Sequence, residues 1–450
     1  MKILLVSANT LDKPYYVYPI GLDYVSAAIS DKHTVKLLDL NICSDYNLII
    51  DTLKTFRPDV IGVSLRNVDT TDITNAFSFV AAYKDLIHIL RNNSEALIVI
   101  GGSAFTIFPE EFMNHLDVDY GIIGEGERFA LMLDTIEEGG NPLDIEGIVA
   151  KESSGFRLPA PWPHDFFRNF DPASPHTGFY LKNGGILNLQ TKRGCGFKCI
   201  YCTYPRVEGH TLRLVRPQQA ADMAIRLQEA GAKFIFITDA AFNSDYAHSL
   251  KIAQAFKDAG LNIPWGGFFA PTRAPADYYK RLADAGLTHV EFGTESLSDT
   301  TLKAYHKPFD VTHVFQAHKA ALKAGLYIMH YFLLGGPGEN RTTIEETLSN
   351  ADKLEKSVFF FFVGMRIYPG TALYDIALRE GQITENQNLL DTVFYHSPCI
   401  ETDEIIDLVH KKSGKRTNWV TGAGTDMMHK ITSRMYRHGF TGPLWENMIR

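Results

Sequence analysis

The sequence predicts an α/β fold: a doubly wound parallel sheet, then a partial (β/α)6 barrel, then a small, mostly helical C-terminal region. Two patterns support this prediction. Apolar runs of strand length alternate with helix-length segments over the first 150 residues, and the alternation restarts near residue 186 after a proline-rich stretch. Apolar strands separated by helices are typical of parallel sheets that are covered on both faces.

The doubly wound domain is assigned to residues 1–150. Its strands are predicted at 2–7, 34–39, 60–64, 96–100 and 120–123, and its helices at 21–29, 46–56, 72–92 and 109–115. In such a sheet, ligands bind in the crevice at the carboxyl ends of the strands.

Small, polar and glycine residues follow four of these strands. They are Asn9, Ser64, Arg66, Gly101, Gly102, Ser103, Gly124, Glu125 and Gly126. Because the carboxyl ends of parallel strands meet at one edge of the sheet, these residues predict one binding crevice. Glycines that merely end the strands are the alternative for any single loop.

The rest of the chain divides into a connector, a barrel and a tail. Residues 151–185 carry five prolines without a clear period, which indicates a connector between domains. Over 186–375, strands at 186–190, 233–238, 264–269, 289–293, 327–333 and 358–364 predict an open six-stranded barrel. Residues 376–450, with helices at 402–412 and 426–436, are expected to cap it.

Three cysteines, Cys195, Cys199 and Cys202, lie within eight residues directly after the first barrel strand. Soft sulfur ligands on a short loop can hold one face of a four-iron cluster and leave one iron open. A tetrahedral zinc site would need a fourth nearby ligand. A disulfide framework is disfavoured because the chain has only 5 Cys in 450 residues.

This spacing, with Tyr201 before the last cysteine, resembles the signature of the radical S-adenosylmethionine (SAM) superfamily. Further runs resemble its cobalamin-binding branch, in which a flavodoxin-like cobalamin domain precedes the barrel. These runs are 99–102, 119–127, 238–243, 292–296, 335–339 and 366–371. The resemblance implies a 4Fe–4S cluster, SAM and cobalamin as cofactors.

The resemblance also implies roles for single residues. Cys195, Cys199 and Cys202 would be the catalytic cysteines that hold the cluster, beside the cofactor-binding Tyr201. Asp239 and Glu295 would accept hydrogen bonds from SAM, and the backbone of Gly335 and Gly336 would approach it. A helix cap, an ion pair or a tight turn is the alternative for these four residues. Trp265, His330 and Tyr331 are candidates to line the cavity, against ordinary core packing.

One motif of the best-known cobalamin proteins, a histidine that ligates cobalt, is not reproduced here. The run Asp31-Lys32-His33 precedes the second strand and lacks the required glycine, so we interpret His33 as an exposed turn residue. The lower cobalt face is then expected to be covered by a loop residue, for which Arg66 is the candidate. An ion pair between Arg66 and Asp69 is the alternative.

The implied function is a cobalamin-dependent radical SAM methyltransferase. It would move a methyl group from SAM via methylcobalamin to an unactivated carbon, using a 5′-deoxyadenosyl radical. One alternative is an enzyme of the same architecture with a non-methylating reaction, such as dehydration, cyclisation or rearrangement. The other is a non-catalytic carrier of cobalamin or an iron–sulfur cluster.

Composition limits the partners and the location. A net charge of −8 disfavours a nucleic-acid partner. No run approaches the ~18 apolar residues of a membrane span, and the first apolar run fits a strand better than a signal peptide. Reduced thiols and an oxygen-sensitive cluster favour the cytoplasm. The expected partners are a small-molecule or peptide substrate and an external electron donor of flavodoxin or ferredoxin type.

Overall fold

The N-terminal third is built on a six-stranded sheet. The structure is a computed structural model that describes residues 1–43, 45–153 and 155–449. The strands of this sheet are β1 Lys2–Ser7, β2 Thr34–Asp39, β3 Val60–Ser64, β4 Leu97–Gly101, β5 Tyr120–Ile122 and β6 Ile148–Val149. Their order is β2-β1-β3-β4-β5-β6, and only the pairing of β5 with β6 is antiparallel.

Six helices cover both faces of this sheet. They are α1 Ile20–Ile29, α2 Tyr46–Phe56, α3 Val80–Asn93, α4 Ser103–Ile107, α5 Pro109–His115 and α6 Arg128–Glu137. Alternate residues of β1 show the two faces, because Leu4 and Val6 belong to one apolar cluster and Ile3 and Leu5 to another. The doubly wound fold predicted from the apolar strands is confirmed.

The predicted start of the third helix at Asp72 was wrong, because α3 begins only at Val80. The Asp72 side chain instead accepts hydrogen bonds from the backbone N–H of Thr74 and of Ala423, 2.8 Å away in the C-terminal region. This long-range contact holds residues 72–75 in a short 3₁₀ turn against the barrel domain. A helix pattern within the segment cannot reveal such a partner.

The second half is an open parallel barrel. After α7 Pro175–Lys182, its strands and small hairpin strands are β7 Ile186–Leu189, β8 Lys192–Arg193, β9 Arg213–Leu214, β10 Phe234–Ile237, β11 Trp265–Phe269, β12 Leu287–Glu295, β13 Tyr327–Leu334, β14 Ser357–Val363, β15 Met365–Arg366, β16 Phe394–Tyr395 and β17 Trp419–Thr421. The main sheet has the order β17-β14-β13-β12-β11-β10-β7. All six predicted strands are present, and β17, which the sequence did not predict, extends the sheet.

Helices separate most of these strands along the chain. They are α8 Tyr204–Glu208, α9 Pro217–Glu229, α10 Tyr246–Asp258, α11 Tyr278–Ala283, α12 Asp299–Ala304, α13 Val311–Lys323, α14 Arg341–Ala351, α15 Ala372–Arg379, α16 Thr402–Ser413 and α17 Asp426–Arg437. Trp265 and His330 are fully buried among apolar and aromatic side chains, which is core packing and not a cavity wall. Among the described residues, no helix has the length and apolarity to cross a membrane.

Buried ion pairs join the two halves. Arg366, after the last central barrel strand, lies 2.8 Å from the carboxylate of Asp69 in the N-terminal domain. Arg168, in the connector, lies 2.7 Å from Asp23 and also donates to the backbone oxygen of Asn188 in β7. Carbonyl oxygens that accept from the arginines, and the hydroxyl groups of Tyr18 and Thr392 that donate to the carboxylates, complete the two buried pairs.

We predict that Asp69→Ala lowers the free energy of unfolding by about 3 kcal/mol, because it leaves the buried Arg366 guanidinium without its carboxylate. The exposed Asp117, 3.6 Å from Arg91, is the matched control, and Asp117→Ala should cost less than about 1 kcal/mol. Urea unfolding followed by tryptophan fluorescence measures both. Equal losses in the two variants would contradict the role of the Arg366–Asp69 pair.

Candidate active site

The cysteine loop leaves the barrel directly after β7 and β8. The backbone N–H of Cys195 donates to the oxygen of Gly209, and that of Cys202 to the oxygen of Cys199. Gly194 has φ +90, and a Cβ there would lie 2.2 Å from the carbonyl oxygen of Thr211. The glycine before the first cysteine is therefore required by the loop itself.

The side chains of Cys195, Cys199 and Cys202 line one cavity of about 260 Å³. Three thiols on the wall of one cavity fit the face of a four-iron cluster. Burial and, to a lesser extent, the neighbouring thiols of Cys199 and Cys195 raise the pKa of Cys202 to about 12.

Three more side chains meet beside the cysteines. The Glu295 carboxylate accepts a hydrogen bond of 2.7 Å from the Tyr201 hydroxyl and lies 3.3 Å from Lys307 Nζ. Its other oxygen has no hydrogen-bond partner within the described part of the chain. Glu295 also has φ +61, a strained conformation for a residue with a side chain. The geometry leaves one carboxylate oxygen free for a ligand in the cysteine cavity.

Three predicted site residues do not reach this cavity. Asp239 is fully buried, and its carboxylate accepts from the backbone and hydroxyl of Thr191 and from Lys192 Nζ at 2.7 Å. The N–H groups of Gly335 and Gly336 donate to the Glu339 carboxylate. Asp239 thus fixes the strand that leads to the cysteine loop, and the two glycines form a tight turn.

The nine residues predicted at the carboxyl edge of the first sheet line a second cavity of about 580 Å³. Two of them present unused donors. The Nδ2 atom of Asn9 is buried without a hydrogen-bond partner. The Arg66 guanidinium makes no ion pair with any described residue, because Asp69 is bound to Arg366. The Arg66 side chain is exposed to this cavity, where partial desolvation lowers the pKa of its guanidinium. These orphaned donors fit a polar, amide-rich cofactor such as cobalamin.

The glycines of this edge serve the protein's own packing. Gly102 has φ +96, and a Cβ there would lie 2.6 Å from the carbonyl oxygen of Leu65. A Cβ at Gly126 would lie 2.5 Å from the side chain of Val25. Close approach by a ligand is therefore not needed to explain these two glycines.

The Glu125 carboxylate lines the second cavity and also binds the cysteine loop. Arg193, two residues before Cys195, lies 2.6 Å from Glu125 and 2.8 Å from Glu127. The ring of Tyr24 lies 4.6 Å from this guanidinium and that of Phe166 lies 4.0 Å away. We call these residues the Arg193 clamp; they attach the edge of the second cavity to the cysteine loop.

A second arginine extends the clamp. Arg213, paired with Arg193 across β8 and β9, donates to both oxygens of Glu125 at 2.7 and 2.8 Å. The half-buried Glu208 accepts from the backbone N–H of Gly194 and from the Gln190 side chain. Backbone and side chains of the cysteine loop are therefore fixed together.

Tyr204 and Phe268 line both cavities. The cysteine cavity and the cavity at the edge of the first sheet are thus neighbours that share a wall. His33 lies elsewhere: it precedes β2, its side chain is only 2% exposed, and it does not line the second cavity. The interpretation of His33 as exposed was wrong, because Met1 and Glu137 pack around the ring.

Two family models match the chain at these sites. The model described as Radical SAM superfamily matches residues 189–351, and the one described as B12 binding domain matches residues 7–132. The chain belongs to the radical SAM superfamily, in the branch that carries a B12-binding domain. The cysteine cavity lies within the radical SAM match, and the four loops of the second cavity lie within the B12-binding match.

Individual relatives agree with this assignment. The chain is 27% identical over 402 residues to an uncharacterized methyltransferase of Pyrococcus horikoshii. This alignment covers 84% of this chain and 83% of the relative. It is 24% identical to the cytidylyl-2-hydroxyethylphosphonate methyltransferase of Streptomyces wedmorensis, over 86% of this chain and 84% of the relative.

One solved structure shares the fold of this radical SAM protein over nearly its whole length. It is the methyltransferase TsrM from Kitasatospora setae, with tryptophan substrate and a SAM analogue bound. The TM-score is 0.89 at 20% identity, and the match covers 99% of this chain and 97% of that chain.

Several residues of the two cavities were not predicted from the sequence, among them Arg193, Tyr204, Phe268 and Lys307. Arg193 lies two residues before Cys195. A basic residue so close to predicted cluster ligands could have been identified as a candidate site residue from the sequence. Lys307 reaches the cysteine cavity from the end of α12, far from the cysteines in sequence. Only the folded barrel brings it there.

We predict that Cys202→Ala loses most of the iron of the reconstituted radical SAM protein, to below about one iron per chain, since two thiolates hold a four-iron cluster poorly. The exposed Cys399 provides the control, and Cys399→Ala should retain about four irons. Anaerobic reconstitution followed by iron and sulfide analysis measures both. A full cluster in Cys202→Ala would exclude Cys202 as a ligand.

Proposed function

We propose that this protein is a cobalamin-dependent radical SAM methyltransferase that places a methyl group on an unactivated carbon of a small-molecule substrate. The observation that carries the proposal is the wall shared by the two cavities, formed by Tyr204 and Phe268. A substrate at this wall would contact both cofactor sites at once. The methyltransferases among the relatives support the same reaction class.

When bound, the cofactors supply a methyl group on cobalamin and, at the cluster, a radical from SAM that removes a substrate hydrogen. The protein supplies positions and charges. Cys195, Cys199 and Cys202 hold the cluster, and the free oxygen of Glu295 accepts a hydrogen bond from SAM. Lys307 adds positive charge beside the cysteine sulfurs and fixes Glu295. Buried aromatic walls keep water away from a radical.

Arg66 is proposed to cover the lower face of cobalamin without ligating cobalt. Its guanidinium faces the second cavity free of any acid within the described residues, and arginine does not deprotonate to become a ligand. A lower face without a ligand would ease departure of a methyl group from the opposite face.

Electrons are proposed to come from another protein, of flavodoxin or ferredoxin type, in the cytoplasm. Beyond the three cluster cysteines, only Cys43 and Cys399 remain, too few for a second four-cysteine cluster. Gly196 and Lys198 of the cysteine loop are exposed, so the loop reaches the protein surface where a donor can approach.

A comparison of two SAM-derived products tests the proposed reaction. Reduced protein loaded with cluster and cobalamin should convert SAM to S-adenosylhomocysteine and separately release 5′-deoxyadenosine. Cys202→Ala should retain the first product and lose the second, because only the second needs the cluster. Mass spectrometry measures both products. Absence of S-adenosylhomocysteine would favour a non-methylating enzyme, and absence of both would favour a carrier.

The lower-face assignment predicts a spectroscopic difference. Electron paramagnetic resonance of bound Co(II) cobalamin should show no nitrogen splitting from the protein in the unmodified chain. Arg66→His places an imidazole, a good cobalt ligand, at the same position and should introduce that splitting. Nitrogen splitting in the unmodified chain would overturn the assignment. Its loss in Arg66→Ala would then show that Arg66 itself ligates cobalt.

A further inference from the structure

The inner face of the barrel carries a continuous belt of aromatic side chains. Phe236 of β10 packs edge-on against Phe268 of β11, with ring centroids 5.1 Å apart. Phe268 lies 6.2 Å from Tyr331 of β13, which lies 5.8 Å from Phe360 and 6.3 Å from Phe362 of β14. We call these five residues the aromatic belt.

The aromatic belt has open ring surface inside the protein. Phe268 remains 38% exposed, and Tyr331, Phe360 and Phe362 are half-buried, although all lie on the inner face of a barrel. Phe268 lines both cavities and Tyr331 lines the cysteine cavity. Open apolar surface at the meeting point of two cofactor sites is a place for a ligand with apolar rings.

One polar unit interrupts the aromatic belt. The Tyr331 hydroxyl donates to Glu291 at 2.9 Å, and Trp445 Nε1 donates to the other oxygen of the same carboxylate at 3.0 Å. Glu291 is only 3% exposed. No lysine, arginine or histidine of the described residues forms an ion pair with it. A buried carboxylate with two neutral donors is unusual, since buried acids are mostly paired with a cation.

This unit has a defined hydrogen-bond polarity. Burial raises the pKa of Glu291 to about 7. Above that pH the carboxylate is ionised and only accepts, so the single hydroxyl proton of Tyr331 is committed to Glu291. The Tyr331 oxygen can then only accept a hydrogen bond from a ligand in the cysteine cavity. The uncompensated charge of Glu291 also repels an anionic ligand placed at the aromatic belt.

We propose that the aromatic belt and the Tyr331–Glu291 pair form the substrate subsite, and that the substrate is a flat, mainly apolar ring compound without net negative charge. An N–H or O–H group on that ring donates to the Tyr331 oxygen. The inference rests on the proposed methyltransferase function, because it places the substrate between the two cofactor cavities. The apolar rings of the aromatic belt disfavour sugars as substrates, and the charge of Glu291 disfavours anions such as phosphonates.

Equilibrium dialysis with three naphthalene probes tests the subsite. 2-Naphthol offers a hydrogen-bond donor, 2-acetonaphthone offers only an acceptor, and 2-naphthoate is an anion on the same ring system. The protein is loaded with cluster and cobalamin and held at about pH 8.5, because burial raises the pKa of Glu291 to about 7. We expect 2-naphthol to bind about tenfold more tightly than 2-acetonaphthone, and 2-naphthoate to bind most weakly.

Two substitutions and one control distinguish a change in hydrogen-bond polarity at Tyr331 from a general loss of probe binding. Glu291→Gln keeps the shape but presents an amide N–H to Tyr331, so the freed hydroxyl proton should shift the preference toward 2-acetonaphthone. Tyr331→Phe should remove the preference between the two neutral probes. Tyr327→Phe, at the solvent-exposed start of the same strand, should leave the order of the probes unchanged.

The outcomes decide the proposal. Equal binding of donor and acceptor probes, tightest binding of 2-naphthoate, or no binding of any probe would overturn it. An unchanged preference in Glu291→Gln would overturn the polarity argument even if 2-naphthol binds. Because dialysis requires no turnover, these results are independent of SAM cleavage, which tests the proposed function separately.

Discussion

The Arg193 clamp is the interaction on which the rest of the site depends. Its guanidinium is buried between two rings and two carboxylates of the first domain, two residues before the first cysteine. Removing a partner from such a buried charge costs about 3–5 kcal/mol of stability. Loss of the Arg193 contact is therefore expected only if the interface between the first domain and the cysteine loop opens. The Arg193 clamp, together with the Arg366–Asp69 and Arg168–Asp23 pairs, therefore fixes the positions of the two cavities relative to each other. A reaction that uses both cofactors requires that fixed geometry.

The barrel contributes a different property, a dry and aromatic interior. Its strands alternate between outward residues that pack on helices and inward residues that form the aromatic belt. The barrel end is closed by Trp445, whose indole binds the same carboxylate that orients Tyr331. The C-terminal region thus does more than add helices, since it supplies β17 to the sheet and a polar contact to the interior. Substrate choice and barrel closure are connected through Glu291.

Much of this could be predicted from the sequence, and the failures have a common cause. The apolar alternation predicts both sheets because burial on two faces is a local property of each strand. The cysteine spacing predicts a cluster loop, and the strand-end residues predict the second cavity. The ion pairs of Asp239 with Lys192 and of Glu125 with Arg193 were not predicted, because these partners are identified only by folding. The start of α3, β17 and Lys307 likewise depend on contacts between segments far apart in sequence.

The central claim, that one chain holds both cofactors at adjoining cavities, is tested most directly by electron paramagnetic resonance of protein carrying Co(II) cobalamin and the reduced cluster together. Two paramagnets at neighbouring sites broaden each other's signals, so the account predicts spectra broader than the sum of those recorded with either cofactor alone. A simple sum of the two separate spectra, in protein shown by metal analysis to hold both iron and cobalt, would contradict it.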